Sequence, residues 1–146
     1  MTSLPPVSML YPALAMALLT FVVGFAMYRR RFAEIRRKRV RVQSLATSAG
    51  IAGALEDTAA ADNFRNLFEM PVLFYAAALV AYAAQLASPA LVALAWAYVA
   101  ARVAHSTIHC TTNRVKYRFL AFAASFWLLA ALWALIAWDL LVAGKG

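Results

Sequence analysis

ALVALAWAYVAARVAHSTIHC, residues 90–110, decides the fold. A helix of about 20 mostly apolar residues crosses the hydrocarbon core of a bilayer, and this stretch is long enough. Within it stand Arg102, His105 and His109. Steps of three and four residues fall on one helix face, and Asn113 extends the row four residues on. An ionisable group at membrane depth is costly and faces protein, water or a ligand rather than lipid. The stretch therefore predicts a transmembrane helix with a polar stripe, and the stripe is the first pointer to function.

Outward from this span the chain stays apolar. Its 146 residues are 65% hydrophobic, more than a soluble domain of this size can cover with polar surface. Spans are expected at about 9–28, 67–87, 90–110 and 119–142, with Ser88-Pro89 as the turn between the second and third. Pro5, Pro6 and Pro12 suit the entry of the first. No Lys or Arg precedes that span, so it reads as a retained helix rather than a cleaved signal peptide. The expected fold class is all-α integral membrane, a four-transmembrane-helix bundle forming a single domain over 1–146.

The formal net charge of +8 is concentrated in two places. Arg29, Arg30, Arg31, Arg36, Arg37, Lys38, Arg39 and Arg41 follow the first span, and Arg114, Lys116 and Arg118 precede the fourth. In a four-span chain both segments fall on the same side, which the positive-inside rule makes cytoplasmic. Residues 29–66 and 111–118 are then cytoplasmic loops, and both termini lie on the other side. The first basic segment is expected beside anionic lipid headgroups. Nucleic acid is excluded as a partner, because a basic binding face needs a soluble domain and none is left over. The single cysteine, Cys110, excludes an intrachain disulfide and reads as a helix-packing residue. The four tryptophans suit interfacial belts or helix packing alike. No internal repeat, Gly-rich phosphate loop or zinc-finger spacing is present.

The second helix opens with DNFRNLFEMP, residues 62–71. Asp62, Asn66 and Glu69 share a face by spacing. A carboxylate about one turn inside the membrane must pair, protonate or touch water. Arg65 on the same helix and Arg102 on the third are both candidate partners for Glu69. Pro71 removes a backbone donor and predicts a kink. His105 and His109 have the spacing of a metal pair, but two His and one Cys are too few for a dinuclear centre, so no metal is expected. Arg114 and Arg118 either anchor the fourth span or, in the case of Arg118, stabilise an anion such as a thiolate or carboxylate.

Together these residues resemble the MAPEG superfamily, the membrane-associated proteins of eicosanoid and glutathione metabolism. The resemblance rests on four spans, a basic first loop, Asn66-x-x-Glu69 followed by Pro71, and Arg102-Val103-Ala104-His105-Ser106 with Arg114 and Arg118 beyond it. In motif it is nearest to the microsomal prostaglandin E synthases and glutathione transferases, and it suggests a bacterial-type, inner-membrane member. It implies a homotrimer that binds glutathione in crevices open to the cytoplasm. It also implies that Asn66, Glu69, His105, His109 and Arg114 hold glutathione together with an arginine at the end of the first span (Arg29, Arg30 or Arg31), that Arg118 stabilises its thiolate, and that Arg102 braces Glu69. The sequence departs from that pattern in four places. Asp62 stands for an arginine, His109 for a tyrosine, Phe119 for a serine and Phe122 for a tyrosine.

Two functions compete at this level. One is a glutathione-dependent transferase or peroxidase acting on lipophilic electrophiles. The other is a non-catalytic protein of the same fold with an altered small-anion site. A transporter has little support, since no inverted repeat is visible.

Overall fold

The structure is a computed structural model that describes residues 3–143. Its element order is α1 (Leu10–Lys38), α2 (Ser48–Ala54), α3 (Ala59–Asn66), α4 (Met70–Ala83), α5 (Pro89–Cys110) and α6 (Val115–Ala143). Short 3-10 turns cover Pro6–Met9 and Val42–Leu45. No strand occurs among the described residues. Among the described residues four helices, with α3 and α4 together counted as one, are long and apolar enough to cross a membrane.

The basic segment expected as a loop is instead the last turns of α1. A row of charges marks a membrane boundary, but it does not end a helix. Arg, Lys, Glu and Ala are good helix formers, and cations suit the helix C-terminus. Glu34 and Lys38 also pair across one turn at 2.8 Å. Arg39 then closes the helix in the left-handed region with φ 51. The following loop is fastened back onto this extension. Lys38 reaches Glu56 at 2.9 Å, and the buried Glu34 carboxylate accepts backbone N–H bonds from Glu56 and Asp57 at 2.9 and 3.3 Å.

The second span differs from expectation too. The chain does not kink at Pro71 but breaks, with Leu67–Glu69 outside any helix between α3 and α4. Pro71 cannot donate to the carbonyl of Leu67, and its ring crowds the preceding turn. It therefore sits in the first turn of α4, where no such donor is required. The helix also stops at Ala83, short of the expected Ala87. Gln85 turns the chain with φ 58. Ser88 then starts α5 by accepting from the Leu91 N–H at 3.3 Å, with Pro89 at the first helical position. α6 begins four residues before the expected Phe119.

The core is a set of seams at helical spacing: Met9, Met16 and Val23 on the first span, Phe74, Ala77 and Ala81 on α4, Leu91, Ala95 and Tyr98 on α5, Leu129, Leu132 and Ile136 on α6. Phe74 stacks on Tyr98 with ring centroids 4.4 Å apart. Alanines between them let the helices approach closely. Gly24 brings α1 against α3, where a Cβ would stand 3.0 Å from the Phe64 ring. Trp133 serves packing, since its indole N–H donates to the Leu73 carbonyl at 3.2 Å. The Leu4 N–H donates to the Ala87 carbonyl at 2.9 Å, and Ser3 and Asp139 line one cleft with residues 85–90. Both described ends of the chain thus lie at one end of the bundle. The loop after α1 and the turn after α5 lie at the other.

Candidate functional site

On α5 the buried residues Leu91, Ala95, Tyr98, Arg102, His105 and His109 follow one another by four, three, four, three and four. The polar stripe is therefore the loop-end half of the same seam that builds the apolar core. Its first member, Arg102, is fully buried. One terminal nitrogen donates to the Asn66 carbonyl at 3.2 Å, at the end of α3, and the guanidinium lies 5.9 Å from the Phe122 ring centroid. Its Nε and Nη1 find no partner among the described residues.

The expected ion pair between Glu69 and Arg102 does not form. Glu69 is exposed, and no salt bridge joins the two among the described residues. The break at Leu67–Glu69 is the cause. An unbroken helix would keep Glu69 in phase with Asp62 and Asn66, whereas the non-helical backbone at Glu69 turns its side chain outward. Arg102 meets the carbonyl end of α3 instead.

His105 points its Nδ1 at the Arg118 carbonyl, 3.1 Å away. A carbonyl only accepts, so Nδ1 carries the proton in the neutral ring and Nε2 is left as an acceptor. That Nε2, and Nδ1 of His109, are buried without partners among the described residues. The two rings meet edge to face with centroids 5.5 Å apart. Arg118, half-buried, donates from Nη1 to the Asn113 side chain at 2.6 Å. Asn113 itself adopts φ 46 just beyond α5 and donates its N–H to the Ile108 carbonyl at 2.8 Å. It joins the site through Arg118 and not as a further step of the α5 stripe.

These groups line one open cavity of about 380 Å³. Its walls are Asp62 and Asn66 from α3, His105 and His109 from α5, and Val115, Arg118, Phe119 and Phe122 from α6. Of the residues expected in a binding site, Asn66, His105, His109 and Arg118 are brought together. Arg30, Arg31, Glu69 and Arg114 are not among the cavity's lining. Arg30 instead satisfies the C-terminal end of α5, donating to the Cys110 carbonyl at 2.6 Å while it touches Asp57 at 3.5 Å. Arg31 is half-buried elsewhere and Arg114 is exposed.

Sequence reasoning passed over Asn63. It is fully buried, accepts from the Ser106 hydroxyl at 3.3 Å and donates toward the Cys110 sulfur at 3.4 Å. It thereby clamps α3 to α5 between two cavity-lining residues. The usable signal was its position three residues before Asn66, which places both on the inner face of a short helix. No group of three His, Cys, Asp or Glu capable of holding a metal ion occurs among the described residues.

Chemically, the cavity offers a guanidinium, two imidazoles, an amide and a carboxylate beside two phenyl rings. It suits a small polar molecule that presents an anionic atom to Arg118 and an apolar co-reactant from the bilayer side. The family model for MAPEG matches residues 9–138. No curated protein and no solved structure matches the chain. The protein belongs to the MAPEG family, and with its four apolar spans it is an integral, multi-pass membrane protein of that family's general glutathione- and eicosanoid-related class.

Proposed function

We propose that this protein is a glutathione-dependent transferase or peroxidase acting on lipophilic electrophiles, with Arg118 stabilising the thiolate. One juxtaposition supports this. Arg118 lines a single cavity with Asn66, His105 and His109, and the exposed Phe119 belongs to the same lining. A free cysteine-type thiol has a pKa of about 8.5, and an adjacent guanidinium favours the nucleophilic thiolate. Arg118 commits one donor to Asn113, which orients the fork and leaves its other N–H groups for a ligand. The unpartnered ring nitrogens of His105 and His109 fit a peptide's hydrogen-bonding groups. In conjugation, the sulfur forms a bond to the electrophilic carbon, the leaving group departs with its electron pair, and the thiol proton passes to water at the loop end. In peroxide reduction, the thiolate attacks one peroxide oxygen and the O–O bond breaks. The sulfur keeps the attacked oxygen as a sulfenic acid while the other oxygen takes up a proton and leaves as the alcohol. A second thiol then attacks the sulfenic sulfur, closing the disulfide and releasing water.

Arg30, Arg31, Glu69 and Arg114 lie outside the cavity of a single chain, so any contact they make with glutathione requires a crevice shared between copies. That agrees with a homotrimer, which we propose together with cytoplasmic basic segments and both termini on the opposite side. Arg102 acts as a brace through Asn66 in place of Glu69. The test is the thiolate absorbance of bound glutathione near neutral pH. It is expected in the wild-type protein and lost in Arg118→Ala, and equal signals in both remove Arg118 from the mechanism. Asp62 favours a second reading, a non-catalytic MAPEG-fold protein with an altered small-anion site, because a carboxylate in the wall repels an anionic ligand. Saturable glutathione binding at millimolar concentration counts against it.

A further inference from the structure

Thiolate stabilisation leaves one charge in the cavity without a role. Asp62, in the first turn of α3, lines the same cavity as Arg118, and its side chain is 46% exposed. Its nearest cation is Arg65 at 3.8 Å, beyond hydrogen-bond reach, and that side chain is itself 76% exposed. Such a pair on an open helix surface is weak and leaves the carboxylate available. Arg118 turns its Nη1 to Asn113 and makes no ion pair with Asp62 among the described residues. His109 lines the same cavity as both.

The cavity is therefore dipolar, with an acid on α3 and a guanidinium on α6. Two opposite charges that face one space without neutralising each other suit an occupant that carries both signs. The same arrangement rejects an occupant that brings like charge to either end.

We propose that Asp62 is a specificity-determining residue: it takes the ammonium group of a zwitterionic thiol whose sulfur lies at Arg118, and it disfavours thiols that bring a lone carboxylate to that end. The inference rests on the thiol-binding reading above. The substrate class is that of amino-bearing thiols, among them γ-glutamyl thiols with a free amine. A carboxylate at the other end of such a ligand contributes nothing at Asp62, so masking it as an amide is harmless.

The test uses the full chain purified in detergent and calorimetric titration with three probes: glutathione, N-acetylglutathione and glutathione amidated at its glycine carboxyl. In the wild-type protein, N-acetylation weakens binding about tenfold, the scale of one charge-assisted contact. Amidation leaves affinity within about twofold, since that carboxylate lies at the end of the ligand away from Asp62. Asp62→Asn narrows the gap between glutathione and its N-acetyl form to about twofold, the remainder after the charge is removed. Saturable binding of glutathione and N-acetylglutathione with equal affinity overturns this proposal alone. Failure of all three probes to saturate overturns the thiol-binding reading as well. The ligand series on the wild-type protein needs no variant to fold.

Discussion

Replacing Asn63 with alanine tests how the cavity keeps its shape. Asn63 ties α3 to α5 through Ser106 and Cys110, at 3.3 and 3.4 Å. Its neighbours Asp62 and Asn66 line the cavity opposite His105 and His109. Interhelical hydrogen bonds in membrane proteins average about 0.6 kcal/mol, with a maximum near 1.7 kcal/mol. The contact to sulfur lies at the weak end of that range. The alanine variant also orphans the Ser106 hydroxyl, which is only 3% exposed, at a cost of about 1 kcal/mol or more. Asn63→Ala should therefore destabilise the protein by about 2 kcal/mol. Ser106→Ala should cost about 1 kcal/mol, and the double variant should fall short of the sum by about 1 kcal/mol because both changes remove the same bond. Reversible unfolding in mixed micelles, followed by the fluorescence of the four tryptophans, measures all three. Glutathione affinity should fall in parallel as α3 loosens. A cost below about 0.3 kcal/mol for Asn63→Ala, or full additivity in the cycle, refutes the clamp.

Two further outcomes follow from buried or held groups. The Tyr98 hydroxyl is buried without a partner among the described residues, while its ring stacks on Phe74. Tyr98→Phe keeps the stack and removes the orphaned group, so it should stabilise by about 1 kcal/mol, and a drop in Tm instead means that the hydroxyl is bonded. In the basic extension of α1, the Glu34 carboxyl is held at about 2, below its ordinary 4.5, chiefly by the Glu56 N–H and then by Lys38. A depressed carboxyl stabilises the folded state fully above its ordinary value and loses that contribution as pH falls through the depressed one. The Glu56 and Asp57 amides should thus stay protected from exchange above about pH 4.5 and lose protection toward pH 2, after correction for intrinsic rates. In Glu34→Gln the protection should be weaker at neutral pH, and unchanged protection there disproves the latch.

The bounds of helix α5 were legible almost to the residue, because composition and caps agree there. Ser88 and Pro89 start α5, and the polar run after Cys110 ends it. The first and second spans show what such signals leave out. Charge marks where a membrane ends but not where a helix ends, so α1 runs on to Lys38. Pro71 signals a disturbance without saying whether the helix bends or parts, and that difference decides the fate of Glu69. Periodicity placed Glu69 beside Asp62 and Asn66 by assuming one unbroken helix. Three residues of non-helical backbone are enough to void that phase. Arg30 was legible as basic and near the site, but its acceptor is a backbone carbonyl 80 residues away that no spacing rule reaches.

The site residues on α5 were legible for a deeper reason. Tyr98, Arg102, His105 and His109 continue the phase of Leu91 and Ala95, so the rule that buries the core also aims the polar groups inward. The two halves of that seam differ in chemistry and not in geometry. One half closes on α4 and α6 with aromatic and aliphatic contact. The other meets α3, whose short inner face brings Asn63, Asn66 and Asp62 to the same place. The break before α4 makes this possible, because α3 can follow its own phase while α4 follows that of the core. A continuous second helix would have to serve both with one rotation. The unhelical residues at Leu67–Glu69 are in this sense part of the site, although none of them lines it. They uncouple the wall that lines the cavity from the wall that packs.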